Sequence, residues 1–248
     1  MASRDGDRKL ASERCVLITG GAHRVGAAIA HRLAAGGARI AIHFHGSEEP
    51  ARRLAEELPG ARSFHADLSR PEAPGALLAE CAAAGMSPDA IVHAAASFLK
   101  RPLAATTSDD WDAVMALNLR AFFLLARDYE ALRGEAGGQM VAIADSGARE
   151  LWTGYLAHCV SKAALLDLVQ ALAKAMAPRF RINAVVPGPV LPPEGTDAEE
   201  AKRLAGRTLL GRIGKPDDVA RAVEFLLDSD YATGAIVDVT GGAHLWRR

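Results

Sequence analysis

Short, almost continuously apolar runs alternate with alanine-rich stretches of helical spacing from residue 15 nearly to the end of the chain. No other feature limits the available folds so strongly. The strand-like runs lie at 15–19, 39–45, 61–65, 90–93, 139–144, 181–186 and 235–239. A strand apolar on consecutive residues is covered on both faces, whereas a strand with one wet face alternates. Segments 25–35, 48–58, 111–132 and 162–176 place apolar residues three and four apart, as one helix face requires. Strand, helix and strand in repetition imply right-handed crossovers, hence a parallel sheet with helices on both sides. Glycine pairs at 36–37 and 137–138 supply helix stops, and Pro71 and Pro216 sit where helices are expected to start. The proline- and glycine-rich stretch 187–196, followed by an acidic helix start at Asp197, is the expected lid over the sheet edge. The expected architecture is one α/β domain over 13–248, doubly wound around about seven strands, behind a disordered tail at 1–12.

Composition narrows the function. The 248 residues are 50% hydrophobic and 24% charged with a formal net charge of −1, which argues against a disordered chain and offers no basic face for nucleic acid. No apolar run approaches the roughly 18 residues that cross a bilayer, and the polar start MASRDGDRKLAS lacks a signal core. Cys15, Cys81 and Cys159 form no CxxC pair and no metal-ligand spacing, so they read as reduced, cytoplasmic thiols. A soluble enzyme acting on a small molecule is expected, with no nucleic-acid, membrane or metal partner.

The first strand runs into TGGAHRVGAAIA, residues 19–30. Gly20, Gly21 and Gly26 between a strand and a helix put free backbone amides and the positive helix end at one point, which suits a pyrophosphate. The spacing is neither GxGxxG nor a Walker loop, and glycine-rich turns end many strands without binding anything. The longer pattern resembles the short-chain dehydrogenase/reductase family, whose turn reads TGxxxGxG. Arg24 stands at the middle glycine, as in the pteridine reductase and dihydromonapterin reductase branch. Other matches are HFHGS at 43–47, ADL at 66–68, Asn118, Asp145, Lys162, VPGPV at 186–190 and GRIGKPDDVA at 211–220, so that the resemblance spans 15–245. It implies a Rossmann-like fold, hydride-transfer chemistry and assembly into homodimers or homotetramers through two long helices, about 108–132 and 155–176.

An acidic side chain after the second strand of such folds binds the ribose hydroxyls of NAD and repels a 2′-phosphate. Here that strand ends IAIHFHGS with no acid before Glu48, and Arg24, His43, His45 and Ser47 can all serve a phosphate, so NADPH is expected. The plain alternative for His43 and His45 is an ordinary alternating strand, and Gly46 stands where the branch often has arginine. The resemblance adds Gly20, Val25, Gly26, Asp67, Leu68, Ala94, Ala95, Lys162, Pro187, Gly188 and Val190 to the cofactor site.

The family's catalytic pair is Tyr-x-x-x-Lys, yet the segment here reads WTGYLAHCVSKAAL, with His158 four residues before Lys162. Tyr155, His158 and Lys162 are spaced three and four apart and share one helix face. His158 is expected to act as the acid, since imidazole titrates near neutrality; alternatively it only fills the place in a disabled enzyme. The resemblance makes Asp145 a proton carrier or a holder of the substrate's amino edge, with a plain turn aspartate or Ser146 in its role as alternatives. It makes Asn118 the holder of an ordered water linking Lys162 outward, and gives Arg24, Ser97, Phe98, Asp145 and Tyr155 to the substrate. Phe98 is either a stacking face or core filling. HAAASF at 93–98 departs from the family's Asn-Asn-Ala-Gly. The expected function is NADPH-dependent reduction of a pterin-like or other small carbonyl or imine; the alternatives are a catalytically impaired NADP-binding protein and a generic oxoacyl or sugar reductase.

Overall fold

The computed structural model describes residues 14–191 and 197–245; the expected tail at 1–12, the chain ends beyond residues 14 and 245, and part of the expected lid lie outside the described residues. The elements run β1 (Cys15–Thr19), α1 (Arg24–Ala35), β2 (Arg39–Phe44), α2 (Glu48–Glu57), β3 (Arg62–His65), α3 (Ala73–Ala83), β4 (Ala90–His93) and α4 (Ser108–Met115). A π-helical turn (Ala116–Arg120) leads into α5 (Ala121–Arg133), then β5 (Gly138–Ile143), α6 (Gly147–Glu150), α7 (Leu156–Ala175), β6 (Phe180–Pro187), α8 (Ala198–Ala205), α9 (Pro216–Asp228) and β7 (Ile236–Val239).

All neighbouring strands pair parallel, in the order β3-β2-β1-β4-β5-β6-β7. Successive side chains of a strand point to opposite faces, and here each face has its own core. Cys15, Leu17, Ile91, Met140 and Ala142 pack beneath α3, α5 and α7. Val16, Ile18, Val92, Val141 and Ile143 pack beneath α1, α2 and α9. This double coverage is why the strands read as unbroken apolar runs.

Local chemistry sets the helix starts. Thr107 and Asp110 cap α4 reciprocally, each side chain accepting from the other's amide at 3.1 Å. Asp197 caps α8 by accepting from the Glu200 amide at 2.7 Å. Pro216 is the first residue of α9 as expected, whereas α3 begins at Ala73 with Pro74 in its first turn, two residues past Pro71. The expected helix 111–132 runs from Ser108 to Arg133, widened by the π turn that carries Asn118. By length and mean hydropathy α7 resembles a membrane span, a feature the run-length criterion overlooked. Its buried face carries His158, Ser161 and Lys162, and it packs on β6, so it is an internal helix of this domain.

The chain reverses its direction across the sheet between β1 and β4. That reversal opens a crevice at the carboxyl ends of the strands. Two buried histidines stitch this edge together. His43 accepts from the Gly20 amide at Nδ1 (3.1 Å) and donates from Nε2 to the Ala66 carbonyl (3.0 Å). Thr19 Oγ1 accepts from the Ala95 amide (3.2 Å) and is also hydrogen-bonded to His93 Nδ1 (2.9 Å). Desolvation lowers His43 to about 4 and His93 to about 3, so both rings are neutral at pH 7.

The unfolded chain protonates these rings below about 6.5, but the folded chain resists until pH 4 or lower. Their contribution is therefore fully present above pH 6.5 and declines as pH falls toward 4, by roughly 1 kcal/mol per pH unit for each ring. Urea unfolding from pH 7 to 4 should show a shallower loss in His93→Asn than in the wild type, by about one proton. Equal slopes would refute the neutral, buried assignment.

Candidate active site

At the end of β1 the backbone doubles back so tightly that side chains are excluded. Gly20 has φ +64°, and a Cβ there would lie 2.8 Å from the Ala95 Cα. A Cβ on Gly26 would lie 2.2 Å from the Gly20 carbonyl oxygen. The Ala27 amide makes the first helical bond, to the His23 carbonyl at 3.1 Å, so the amides of Arg24, Val25 and Gly26 open α1 without an intrahelical acceptor. This cradle fits a dinucleotide pyrophosphate. Arg24 holds φ +50°, a left-handed conformation that costs a non-glycine residue about 1–2 kcal/mol. Its exposed guanidinium donates to the Leu191 carbonyl at 3.3 Å, bridging the turn to the segment after β6.

The residues expected to surround the nucleotide separate into two groups. His45 and Ser47 stand at the open end of β2, with His45 exposed and the Ser47 side chain making no cap bond to α2. His43 requires correction: its ring is buried and both nitrogens are engaged, so its side chain anchors the turn and does not face a phosphate. The Leu68 side chain is core, leaving only its backbone for a ligand. Asp67 Oδ1 accepts from the Ser69 hydroxyl (2.6 Å) and amide (3.1 Å), a bond to Ser69 that holds the carboxyl below the usual range. Ala94 and Ala95 are tied to Thr19, and Gly188 to the Val239 carbonyl at 3.0 Å, which brings both loops to the same edge. Pro187 accepts from the Ser146 amide at 2.9 Å, and Val190 is buried against Gly214.

The candidate catalytic residues cluster where β4, β5 and α7 converge. His158 Nε2 and Asp145 Oδ2 are in direct hydrogen-bond contact. His158 Nδ1 meets the Ser97 carbonyl at 2.9 Å. Asp145 Oδ1 accepts from the Gly147 amide at 2.8 Å. Lys162, buried, donates to the Ile143 carbonyl at 2.7 Å. Burial lowers its pKa, while the Asp145 carboxylate works the other way. The Asn118 side chain is buried and clamps the Ser97 backbone. Its Oδ1 accepts from the Ser97 amide (2.7 Å), and its Nδ2 donates to the Ser97 carbonyl (3.0 Å) and Ser161 Oγ (3.0 Å). These contacts use both amide hydrogens and tie Ser97 to α7. Ser146 is buried beside Asp145, its amide bonded to the Pro187 carbonyl.

Above the cluster stands an aromatic wall. Phe98, 57% exposed, lies 4.6 Å from Tyr155 and meets His158 edge-on at 4.7 Å, with Trp152 at 6.1 Å. Phe98 is therefore a surface face and not core filling. Two members of the site were missed from sequence. Ser161, which donates to the His158 carbonyl at 2.7 Å, is signalled only by its place three residues after His158. Trp152 precedes α7 in an irregular loop, where no periodicity marks it.

A phosphate cradle at the switch point of a doubly wound parallel sheet, with ionisable groups gathered beside it, defines a dinucleotide-dependent oxidoreductase frame. Residues 20–244 match the family model described as Enoyl-(Acyl carrier protein) reductase, and the chain belongs to the NAD(P)-dependent short-chain dehydrogenase/reductase family. It is 32% identical to L-xylulose reductase of Bos taurus over 95% of this chain and 98% of that protein. It is 26% identical to dihydromonapterin reductase of Enterobacter sp. (strain 638), again over 95% and 98%. The crystal structure of FolM Alternative dihydrofolate reductase 1 from Brucella canis, complexed with NADP, superposes with a TM-score of 0.89 at 29% identity, covering 98% of each chain.

Gly26→Ala tests the cradle. The added methyl should force the turn open, costing about 1–3 kcal/mol in urea unfolding and abolishing the fluorescence enhancement of bound reduced nicotinamide. Retention of both would show that the turn has room to spare.

Proposed function

We propose that this protein is an NADPH-dependent reductase of a small, flat carbonyl or imine substrate of the pterin type. The observation that carries the reading is that His158, hydrogen-bonded to Asp145, packs edge-on against the exposed ring of Phe98, on the edge that holds the phosphate cradle. A planar ring stacked on Phe98 meets the aromatic wall of Tyr155 and Trp152, and the Asp145 carboxyl can accept from its N–H groups. Arg24, His45 and Ser47 favour a 2′-phosphate, with no acid at the end of β2 to repel one. Val25 and Gly26 would hold the pyrophosphate, and Pro187 and Gly188 would border the nicotinamide. Bound NADPH supplies the hydride. The chain's own part is to seat the substrate, to hold Lys162 beneath the ribose and to supply one proton from the Asp145–His158 pair. Similarity to dihydromonapterin reductase and to the NADP complex of the Brucella protein supports this substrate and cofactor. Self-assembly is proposed through the groove between the π turn, α5 and α7, where Met115, Leu119, Phe123 and Leu168 line an apolar surface.

Calorimetry should show NADPH binding at least about tenfold more tightly than NADH, a difference of roughly 1.4 kcal/mol, and Arg24→Ala should shrink it. Equal affinities would overturn the cofactor choice. Loss of nicotinamide absorbance with dihydropterins, and much slower loss with aliphatic ketones, is the expected substrate pattern. The reverse preference would overturn the pterin reading.

A further inference from the structure

We infer that Asp145, and not His158, hands the proton to the substrate, while His158 is a buried positioning residue that keeps a transferable proton on the pair; this rests on the reductase reading above. Access decides the first half. The His158 side chain is 2% exposed and lies beneath the Phe98 ring, whereas the Asp145 side chain is 20% exposed at the crevice.

Proton counting decides the second half. The Ser97 carbonyl can only accept, so His158 Nδ1 carries a hydrogen. Asn118 does not supply it, because its two amide hydrogens go to the Ser97 carbonyl and Ser161 Oγ, and it stands 3.4 Å from Nδ1. The Ser97 amide, which can only donate, fixes the Asn118 amide in this orientation. Nε2 and Asp145 Oδ2 then face each other as two acceptors unless one proton lies between them. The Gly147 amide on Oδ1 keeps the carboxyl turned toward the ring. A lone carboxyl has lost its proton well below pH 7, since its ordinary pKa is about 4, and would have nothing to give. Here the hydrogen between Nε2 and Oδ2 is the one the pair can hand on. The other titratable groups around the pair are Lys162 on the Ile143 carbonyl, the Cys159 thiol, Glu150 held by the Trp152 indole at 2.8 Å, and Lys100 over the Tyr155 ring.

In the reductive step the hydride forms the new C–H bond, and the π pair of the C=O or C=N bond moves to the heteroatom. The heteroatom takes the proton from the Asp145 oxygen. Asp145 is left as carboxylate and His158 as a neutral ring still bonded to Ser97, and water restores the missing proton. Asn118 acts at one remove, by holding the Ser97 carbonyl that orients the ring.

The test is kcat against pH for NADPH-dependent dihydropterin reduction, joined to low-field proton spectra of the NADP-bound protein. Asp145→Asn should lose about 10²–10⁴-fold in kcat at every pH, with NADPH affinity within about twofold of wild type. His158→Gln should already lose about tenfold near pH 5 and about tenfold more for each pH unit above, as the unsupported carboxyl ionises. The spectra should contain one strongly deshielded proton at pH 7 that is missing from both variants. Wild-type kcat in Asp145→Asn, or a pH-independent loss in His158→Gln, would overturn the assignment; so would absence of the resonance from the wild type. A protein showing the resonance but reducing no dihydropterin would refute the reductase reading while supporting the shared proton.

Discussion

Parallel strands must all end on the same edge of their sheet, and the rest of this structure follows from that constraint. Seven successive strands deliver seven loops to one side, and the reversal between β1 and β4 parts two of them into a crevice. Thr19 closes its floor. It ends β1 opposite His93 in the strand register, and its hydroxyl bridges the His93 ring and the Ala95 amide. The phosphate turn, the Ser97–Phe98 loop, Asp145 and Pro187 are thereby brought together from chain positions well over a hundred residues apart.

The same constraint explains the electrostatics. Carbonyls just beyond a strand's last ladder bond have no strand partner, so they attract side-chain donors. Ala66 takes His43, Ser97 takes His158 and Ile143 takes Lys162. Each donor is carried into the interior by this bond and loses its water. His43 responds by staying neutral, and Lys162 is held below the ordinary lysine value. In the Asp145–His158 pair the ring is buried, while the Asp145 side chain is 20% exposed at the crevice.

Much of this was legible beforehand because it is local. The strands at 15–19 and 90–93 have the predicted bounds, since a doubly covered strand needs consecutive apolar residues. The turn at 19–26 was recognisable because its glycines answer to backbone crowding within the segment. The helices at 73–83 and 147–150 were not outlined, one being apolar around much of its surface and the other a single turn. His43 and His45 looked equivalent two residues apart. The strand ends between them, so one points into the core and the other to solvent.

The amino-acid sequence by itself determined the layered parallel sheet, the cradle at its switch point and the grouping of His158 and Lys162 on one helix face, because periodicity and glycine placement act over a few residues; Tyr155, expected on that face, caps the helix from outside it. Only the tertiary structure decided what each side chain can reach. Asn118 meets Ser97 from 21 residues away and His158 meets Asp145 from 13. Phe98 roofs a ring on another element. A histidine's role depends on which acceptors flank its two nitrogens and on how much water remains, and both are set by packing between elements that no local pattern encodes.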